Sequence, residues 1–562
     1  MDGSATTLDE RRRALFARHA ETLMAAIDAV QTRKSWSPYS DSPSTKIHGP
    51  DKPGAGKAAF EARLGTTFDL GQPGVVGEVG EEVSPFTQQP LNIRYPKSDP
   101  DALIGAAVAA MGDWREADFE LRIAICLEIA ARLYARNFEM AHAVMHVAGQ
   151  SYTQAFSGSG PNALDRGVEA LAYAAKAMRD VAPSATYHRQ FGGEAVALEK
   201  TYVLVPRGVG LVICCASFPT WNAYPAMFAS LATGNPVVVK PHPIAVLPMA
   251  LVVQTSRAVL TEFGFDPNLV SLAVDTLAEP VAQDLVDDPR VQIVDFTGSP
   301  RYGGHLERTV TGKLLFTETA GVNTVVVESV ADLDAVGRAV ARSSSLFSAQ
   351  MCTSPQVIYI APDLFAPLSA AIVDQIDAIA DDPAMASGIM GAIQGEVSLK
   401  VVAEAQAAVA DRPGVRTLRD PAPYAHPQFP DARTMTPLVI AVDEGQQMDL
   451  YAEERFGPVL FLVKKDPREA VIEATDLART RGSISSYLYS TDEAFIDRAT
   501  PAYEAAGANL SINLTGAMWI NFAAAYSDYH VTGLNPAGNA CLADLAFVAS
   551  RFRIVQRRRP AA

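Results

Sequence analysis

Residues 209–241 read VGLVICCASFPTWNAYPAMFASLATGNPVVVKP. The apolar run from Val209 to Ala216 predicts a buried strand. Pro225 to Ala232 predicts a helix, and Pro236 to Lys240 a second strand. The rhythm continues outward: a helix over Pro248 to Phe263, then strands over Leu269 to Val274 and Val291 to Thr297. Strands alternating with helices imply a parallel sheet covered on both faces. A second alternating stretch runs from Thr324 to about Tyr489. Two α/β units in series predict two domains with a cleft between them.

Upstream, residues 8–31 place Leu15, Leu23, Ile27 and Val30 at helical spacing among charges, which predicts an amphipathic helix. Residues 32–75 are rich in Pro, Gly, Ser and Asp and read as an extended arm or loop draped on the body. Helical patterns run from Asp101 to Met178, one of them as a single segment from Phe119 to Ala148. Residues 187–205 alternate like strands. No internal repeat is evident.

The length of 562 residues favours two or more domains, and 48% apolar with 20% charged residues is ordinary globular composition. A net charge of -16 repels phosphate backbones and argues against a nucleic-acid partner. Arg557, Arg558 and Arg559 read as solvated charge at a chain end. The five cysteines are scattered, with no CxxC pair or Cys/His cluster, so neither zinc nor a disulfide framework is expected. The N-terminus lacks the apolar core of a signal peptide, and no apolar run is long enough to cross a bilayer. A cytoplasmic protein with no membrane partner is the expectation.

Phe296-Thr297-Gly298-Ser299 closes a strand and opens a helix, where orphan N–H groups would suit a pyrophosphate. Alone it is an ordinary strand–turn–helix corner, and no GxGxxG follows a strand. Lys240, at a strand end, points into the crevice where such sheets bind ligands, or is a solvated cap. Glu318 is the lone acid of Phe316-Thr317-Glu318-Thr319-Ala320-Gly321. It is either a dry general base or a surface glutamate between strands. Cys352, in Gln350-Met351-Cys352-Thr353, is a nucleophile if a helix N-terminus lowers its pKa, or else a small buried hydrophobe. Cys126, Cys214 and Cys215 lie in apolar periodic segments and read as buried hydrophobes, while Cys541 is undecided. Glu454, before Phe456-Gly457-Pro458, is an acceptor for ribose hydroxyls or an acidic turn flank.

In order and spacing, these motifs resemble the aldehyde dehydrogenase superfamily over roughly residues 95–556. The residues that carry the resemblance are Leu231 to Pro241, Phe296 to Ser299, Glu318, Cys352 thirty-four residues later, and Glu454 to Pro458. A narrower resemblance, in Ile213 to Asn222 and Tyr529 to Gly533, is to the branch associated with bacterial phenylacetate catabolism through coenzyme A thioesters. The resemblance implies a Rossmann-like NAD(P)-binding domain over 76–186 and 206–320 and an α/β catalytic domain over 321–520. It further implies a β oligomerisation arm with the C-terminal segment over 187–205 and 521–562, after an N-terminal extension over 1–75. A homodimer or homotetramer follows from the same resemblance, and any hydratase step would belong to another protein.

The implied reaction is oxidation of an aldehyde, with or without a coenzyme A appendage, to a carboxylic acid through a thioester on Cys352. Glu318 activates water. Lys240, His242, Pro243, Gly298, Ser299, Glu454 and Phe456 surround NAD or NADP, and Phe218, Asn222, Met351 and Thr353 flank the substrate. Members that pass the acyl group to free coenzyme A generally lack the glutamate, so Glu318 favours hydrolysis. Two positions depart from the pattern. The family's oxyanion-hole asparagine falls on Ser217, unless a local shift brings in Asn222; ungapped counting from Lys240 favours Ser217. The glutamate that often binds the adenosine ribose falls on Pro243, which leaves NADP as plausible as NAD. Ser217 keeps two other readings open: a binding or scaffolding protein that retains the fold, and a thioesterase or esterase using the same Cys352.

Overall fold

Helix Leu8–Thr32 opens the described chain, capped by Thr7. Thr7 Oγ1 accepts the Glu10 N–H at 3.3 Å, and the Glu10 carboxylate accepts the Thr7 N–H at 2.8 Å. Two first-turn donors that lack an intrahelical partner are thereby satisfied. The structure, a computed structural model, describes residues 7–221, 223–410, 412–443, 447–516 and 532–561. Asn222 and Tyr529 to Val531 therefore lie outside the described residues.

Leu15, Leu23, Ile27 and Val30 are all buried. The helix packs on Phe119–Ala135 and Ala163–Arg179. Segment 32–75 departs from the expected arm, because it contains helices Thr45–His48 and Lys52–Glu61. Its Pro and Gly are compatible with helix here. Pro53 falls in the first turn, where a missing N–H removes no bond. Gly56 lies so close to helix Asn137–Ala148 that a Cβ would sit 2.3 Å from Phe138 Cβ. The single segment expected over 119–148 is broken at Arg136 into Phe119–Ala135 and Asn137–Ala148.

Strands β1 (Val75–Val79) and β2 (Tyr95–Ser98) form an antiparallel ribbon. Strands β3 (Ser184–Phe191) and β4 (Glu194–Pro206) form a hairpin across Gly192 and Gly193, with Gly192 in the left-handed region at φ 58°.

The next five strands make one parallel sheet: β5 (Val209–Ile213), β6 (Val237–Lys240), β7 (Val270–Leu272), β8 (Val291–Gly298) and β9 (Leu314–Thr319). Their spatial order is β7-β6-β5-β8-β9. The chain runs outward from β5 to β7, then returns to β5's other side as β8. Connections leaving β5 and β8 therefore diverge, and a crevice opens beyond their carboxyl ends. Every residue of β5, β6 and β7 is buried, as suits strands with helices on both faces.

Only Ala320, Gly321 and Val322 separate β9 from β10 (Asn323–Val327), the first strand of a second sheet. A Cβ at Gly321 would lie 2.2 Å from the Gly482 carbonyl oxygen, so only glycine allows this crossing. The second sheet adds β11 (Pro355–Ile360), β12 (Val415–Arg419), β13 (Leu438–Val442), β14 (Val459–Lys464), β15 (Ser486–Tyr489) and β16 (Leu510–Ile512). Its order is β12-β13-β14-β11-β10-β15-β16, with β12 alone antiparallel to its neighbour. This is the expected α/β architecture. Finally, β17 (Phe552–Pro560) pairs antiparallel with β4, and Arg557 to Arg559 stand exposed on it. Among the described residues, no helix is long and apolar enough to cross a membrane.

Arg551, just before β17, is fully buried beneath the first sheet. Its guanidinium grips Asp295 of β8 at 2.5 and 2.9 Å and donates to Ser230 Oγ at 2.7 Å and Phe547 O at 2.7 Å. Removing one partner of a buried pair strands the other charge, typically at a cost of about 3–5 kcal/mol. Arg551→Met is therefore expected to lower the unfolding free energy by about that much in urea titrations. A loss below about 1 kcal/mol would mean that the pair does not hold the C-terminal segment.

Candidate active site

Cys352 lies in the turn between a short helical turn, Leu346–Ala349, and β11. Three consecutive residues in that approach, Phe347, Ser348 and Ala349, have positive φ of 50°, 49° and 53°. Left-handed backbone costs a side-chain-bearing residue roughly 1–2 kcal/mol. Such a run persists only where its surroundings over-determine it. Here Ser348 Oγ donates to Met390 O at 3.2 Å, and Gln350 Nε2 donates to Phe347 O and Ala392 O, both at 3.1 Å.

The turn's carbonyls are held by residues outside the motifs read from the sequence. Asn323 Nδ2 donates to Cys352 O at 2.8 Å and Ser354 O at 3.0 Å, and Ser485 Oγ donates to Thr353 O at 3.0 Å. Asn323 Oδ1 in turn accepts the Ile484 and Ser485 N–H groups, each at 3.0 Å. One buried amide thus ties the cysteine turn to the starts of β10 and β15.

Glu318 is the penultimate residue of β9 and only 2% exposed, which excludes a surface glutamate. Alternation along the strand places Thr317 and Thr319 on the opposite face. They are fixed by the segment after residue 531: Thr317 N–H donates to Ala537 O at 3.1 Å, and Asn535 Nδ2 donates to Thr319 Oγ1 at 3.1 Å. Glu318 lies on the other face, close enough for its charge to act on Cys352.

The Cys352 thiol is pushed well above its ordinary range, first by burial and then by the negative charge of Glu318, with Cys215 and Glu454 adding to it. Arg166 opposes the shift. The expectation that a helix N-terminus lowers this pKa is thus corrected: Cys352 precedes a strand, not a helix, and its thiol is raised. Cys215 also departs from expectation. Cys126 and Cys214 are buried, but Cys215 is partly exposed, donates to Phe218 O at 3.4 Å, and is raised to about 11 by burial and, more weakly, by Glu318. Cys541 is buried.

Arg166 was not singled out from the sequence, since helical periodicity does not distinguish it from a surface charge. It stands on helix Ala163–Arg179, 1% exposed, donating to Trp221 O at 3.1 Å with its guanidinium 5.0 Å from the Trp221 ring. Phe218 stacks edge-on against Phe347 at 5.6 Å. The loop bearing Phe218 and Ser217 is pinned by Gln394 Nε2 on Ala216 O at 2.9 Å and Gln150 Nε2 on Ser217 O at 2.7 Å. Ser217 itself is 8% exposed, and Thr353 is buried.

Beside the cysteine turn, a cleft is lined by Asn323, Met351, Gln356, Glu454 and Phe456. Burial raises the Glu454 carboxyl to about 8. At the carboxyl edge of the first sheet, Lys240 closes β6, with half-buried His242 and buried Pro243 after it. Burial, then the Lys240 charge, lowers His242 to about 4. Gly298 and Ser299 sit where β8 passes into helix Pro300–Thr309, with Ser299 Oγ accepting the Tyr302 N–H at 3.4 Å. A Cβ on Gly303 would lie 2.4 Å from Thr319 Cγ2, so this helix packs tightly on β9. Lys240 at the carboxyl end of β6 and the N-terminus of helix Pro300–Thr309 at the carboxyl end of β8 lie on the sheet edge where such folds bind dinucleotides. Among the described residues, no group of three or more His, Cys, Asp or Glu could hold a metal ion.

A family model described as the aldehyde dehydrogenase family matches residues 77–523. Among solved structures, an NAD-dependent aldehyde dehydrogenase from Burkholderia multivorans is 44% identical with a TM-score of 0.93, over 98% of this chain and 99% of that one. A Thermus thermophilus 1-pyrroline-5-carboxylate dehydrogenase shares the fold at 18% identity and a TM-score of 0.71, over 94% and 99% of the two chains. Among curated proteins, 1-pyrroline-5-carboxylate dehydrogenase of Bacillus pumilus is 24% identical over 86% of this chain and 92% of its own length. The 3,6-anhydro-alpha-L-galactose dehydrogenase of Streptomyces coelicolor is 27% identical over 70% and 76%.

Two outcomes follow from the charges. Removing the Glu318 charge lowers the Cys352 pKa, so Glu318→Gln should alkylate faster at Cys352 near pH 8, read by mass spectrometry of that peptide. An unchanged profile would place the carboxylate out of reach of the thiol, and a slower one would show that proton removal by Glu318 outweighs its charge. Glu454, raised from 4.5 to about 8, binds more protons folded than unfolded. Its contribution to stability is complete below pH 4.5 and is lost as pH rises through about 8. Glu454→Gln should therefore flatten the decline of the urea midpoint between pH 5 and 8.5, and a parallel decline in both proteins would contradict the assignment.

Proposed function

The chain belongs to the aldehyde dehydrogenase family, and from that premise we propose that it oxidises an aldehyde to a carboxylic acid through a thioester on Cys352. It is an oxidoreductase that uses NAD or NADP. The observation that carries the residue roles is Glu318, buried at the end of β9, whose charge raises the Cys352 thiol. A base and a nucleophile that depend on each other's protonation suit a two-stage acyl transfer.

Glu318 accepts the Cys352 proton as the sulfur attacks the aldehyde carbon. The Cys352 backbone N–H, with the Ser217 hydroxyl or the Asn222 amide, holds the oxyanion. Bound NAD or NADP supplies the hydride acceptor, held by Lys240, His242, Pro243, Gly298, Ser299, Glu454 and Phe456. Loss of hydride from the carbon leaves the thioester. Glu318 releases the first proton to solvent and then takes a proton from water as the hydroxyl adds to the thioester carbon; the acid departs as the Cys352 sulfur leaves and takes that second proton back from Glu318. Phe218, Met351 and Thr353 line the approach with Asn222.

The finer reading concerns the substrate. Residues 213–222 and 529–533 resemble the phenylacetate-degrading branch, which supports a semialdehyde from aromatic catabolism, with or without a coenzyme A appendage. The hairpin β3–β4 with β17 presents exposed strand edges, which supports pairing with a second copy as a dimer or tetramer.

The test is absorbance of reduced nicotinamide with NAD and with NADP across aliphatic, aromatic and coenzyme A-linked semialdehydes. Turnover should fall at least about a thousandfold in Cys352→Ala. Nucleotide binding without turnover on any aldehyde, whether or not an activated ester is hydrolysed, would sink the proposal.

A further inference from the structure

Lys240 ends β6, and Asp275 lies three residues beyond the end of β7. The two strands are parallel neighbours, with Val239 opposite Leu272, and the Ala273 N–H extends the ladder to Val239 O at 2.8 Å. Both side chains therefore leave the same carboxyl edge of the sheet. Lys240 Nζ donates to Asp275 Oδ1 at 2.5 Å and to Pro241 O at 3.0 Å. Asp275 Oδ2 accepts the Val281 N–H at 3.0 Å, so the carboxylate is braced by its own loop. The side chains are only 6% and 1% exposed.

This pairing changes what the Lys240 end of the crevice can receive. A lone buried ammonium would favour a phosphate. An ammonium held against a carboxylate forms a pair of zero net charge. It still has a third N–H to donate, and the carboxylate still has acceptor sites for a hydroxyl. A 2′-phosphate brought to the same ammonium would meet Asp275 at close range in a poorly screened setting. His242, lowered to about 4, is neutral at physiological pH. The loop after Asp275 carries Glu279, paired with Lys97, and its Leu277 N–H donates to Glu81 at 2.9 Å.

We propose that Asp275 is a specificity-determining residue that makes this site select NAD over NADP, taking from β7 the role that Pro243 leaves vacant after β6. The assignment rests on the reading above that Lys240 faces the adenosine ribose, and it replaces the expectation that Pro243 leaves both nucleotides equally acceptable.

The experiment is calorimetric titration of the full-length chain, without aldehyde, using NAD, NADP, adenosine 5′-monophosphate and adenosine 2′,5′-bisphosphate. The wild type should bind NAD at least tenfold more tightly than NADP, and the monophosphate more tightly than the bisphosphate. In Asp275→Asn both ratios should fall at least tenfold, chiefly through tighter binding of the 2′-phosphorylated ligands. A wild type that prefers NADP, or binds neither nucleotide, overturns the proposal, and so does a folded Asp275→Asn with unchanged ratios. If Asp275→Asn does not fold, Asp275→Ser takes its place, with the same fall in both ratios expected and unchanged ratios overturning the proposal. Selective NAD binding that depends on Asp275, with no aldehyde turned over, would uphold this assignment while sinking the dehydrogenase reading.

Discussion

The catalytic arrangement depends on one buried amide. Asn323 begins β10, donates to the carbonyls of Cys352 and Ser354, and accepts from two N–H groups before β15. Without it, the left-handed run Phe347 to Ala349 would lose the anchor at its downstream end. Strain of that kind survives because several hydrogen bonds share it. The cysteine is held as backbone is held, by carbonyls fixed on rigid strands, and its side chain inherits that precision.

Asn323 is placed by a second constraint. Only three residues separate β9 from β10, so the strand that carries Glu318 delivers the residue that positions Cys352. Gly321 makes the crossing possible against the Gly482 carbonyl. The junction is also partly closed to solvent, with Glu318 buried and Cys352 and Glu454 half-buried. Burial and like charge keep the Cys352 thiol protonated at rest, and burial raises Glu454 as well. In the proposed reaction the nucleophile rests as the neutral thiol and the thiolate forms only when the proton has somewhere to go.

Much of the fold was legible in residues 209–298, because each strand of a doubly covered parallel sheet must be apolar along its whole length. The N-terminal helix was legible for a related reason: Leu15, Leu23, Ile27 and Val30 mark one face at helical spacing. Segment 32–75 was misread because its Pro and Gly occur at positions a short helix tolerates, and composition does not reveal position within a turn. Cys215 was misread because it follows an apolar run, yet β5 ends at Ile213 and the chain turns toward the site. Asn323, Arg166 and Asp275 gave no signal, since an asparagine, an arginine or an aspartate is unremarkable until its neighbours are known.

By itself, the sequence determined the alternation of strands and helices, the family resemblance and the spacing of Glu318 and Cys352. Those properties are local, written in periodicity and in spacing along the chain. Only the tertiary structure decided what surrounds them. Strand order sets Asp275 beside Lys240 thirty-five residues away. The crossing at Gly321 sets Asn323 beneath Cys352. The depth of the junction sets the protonation of both Cys352 and Glu454. Electrostatics and hydrogen bonding act through space, and the distances they depend on exist only after the two sheets have packed.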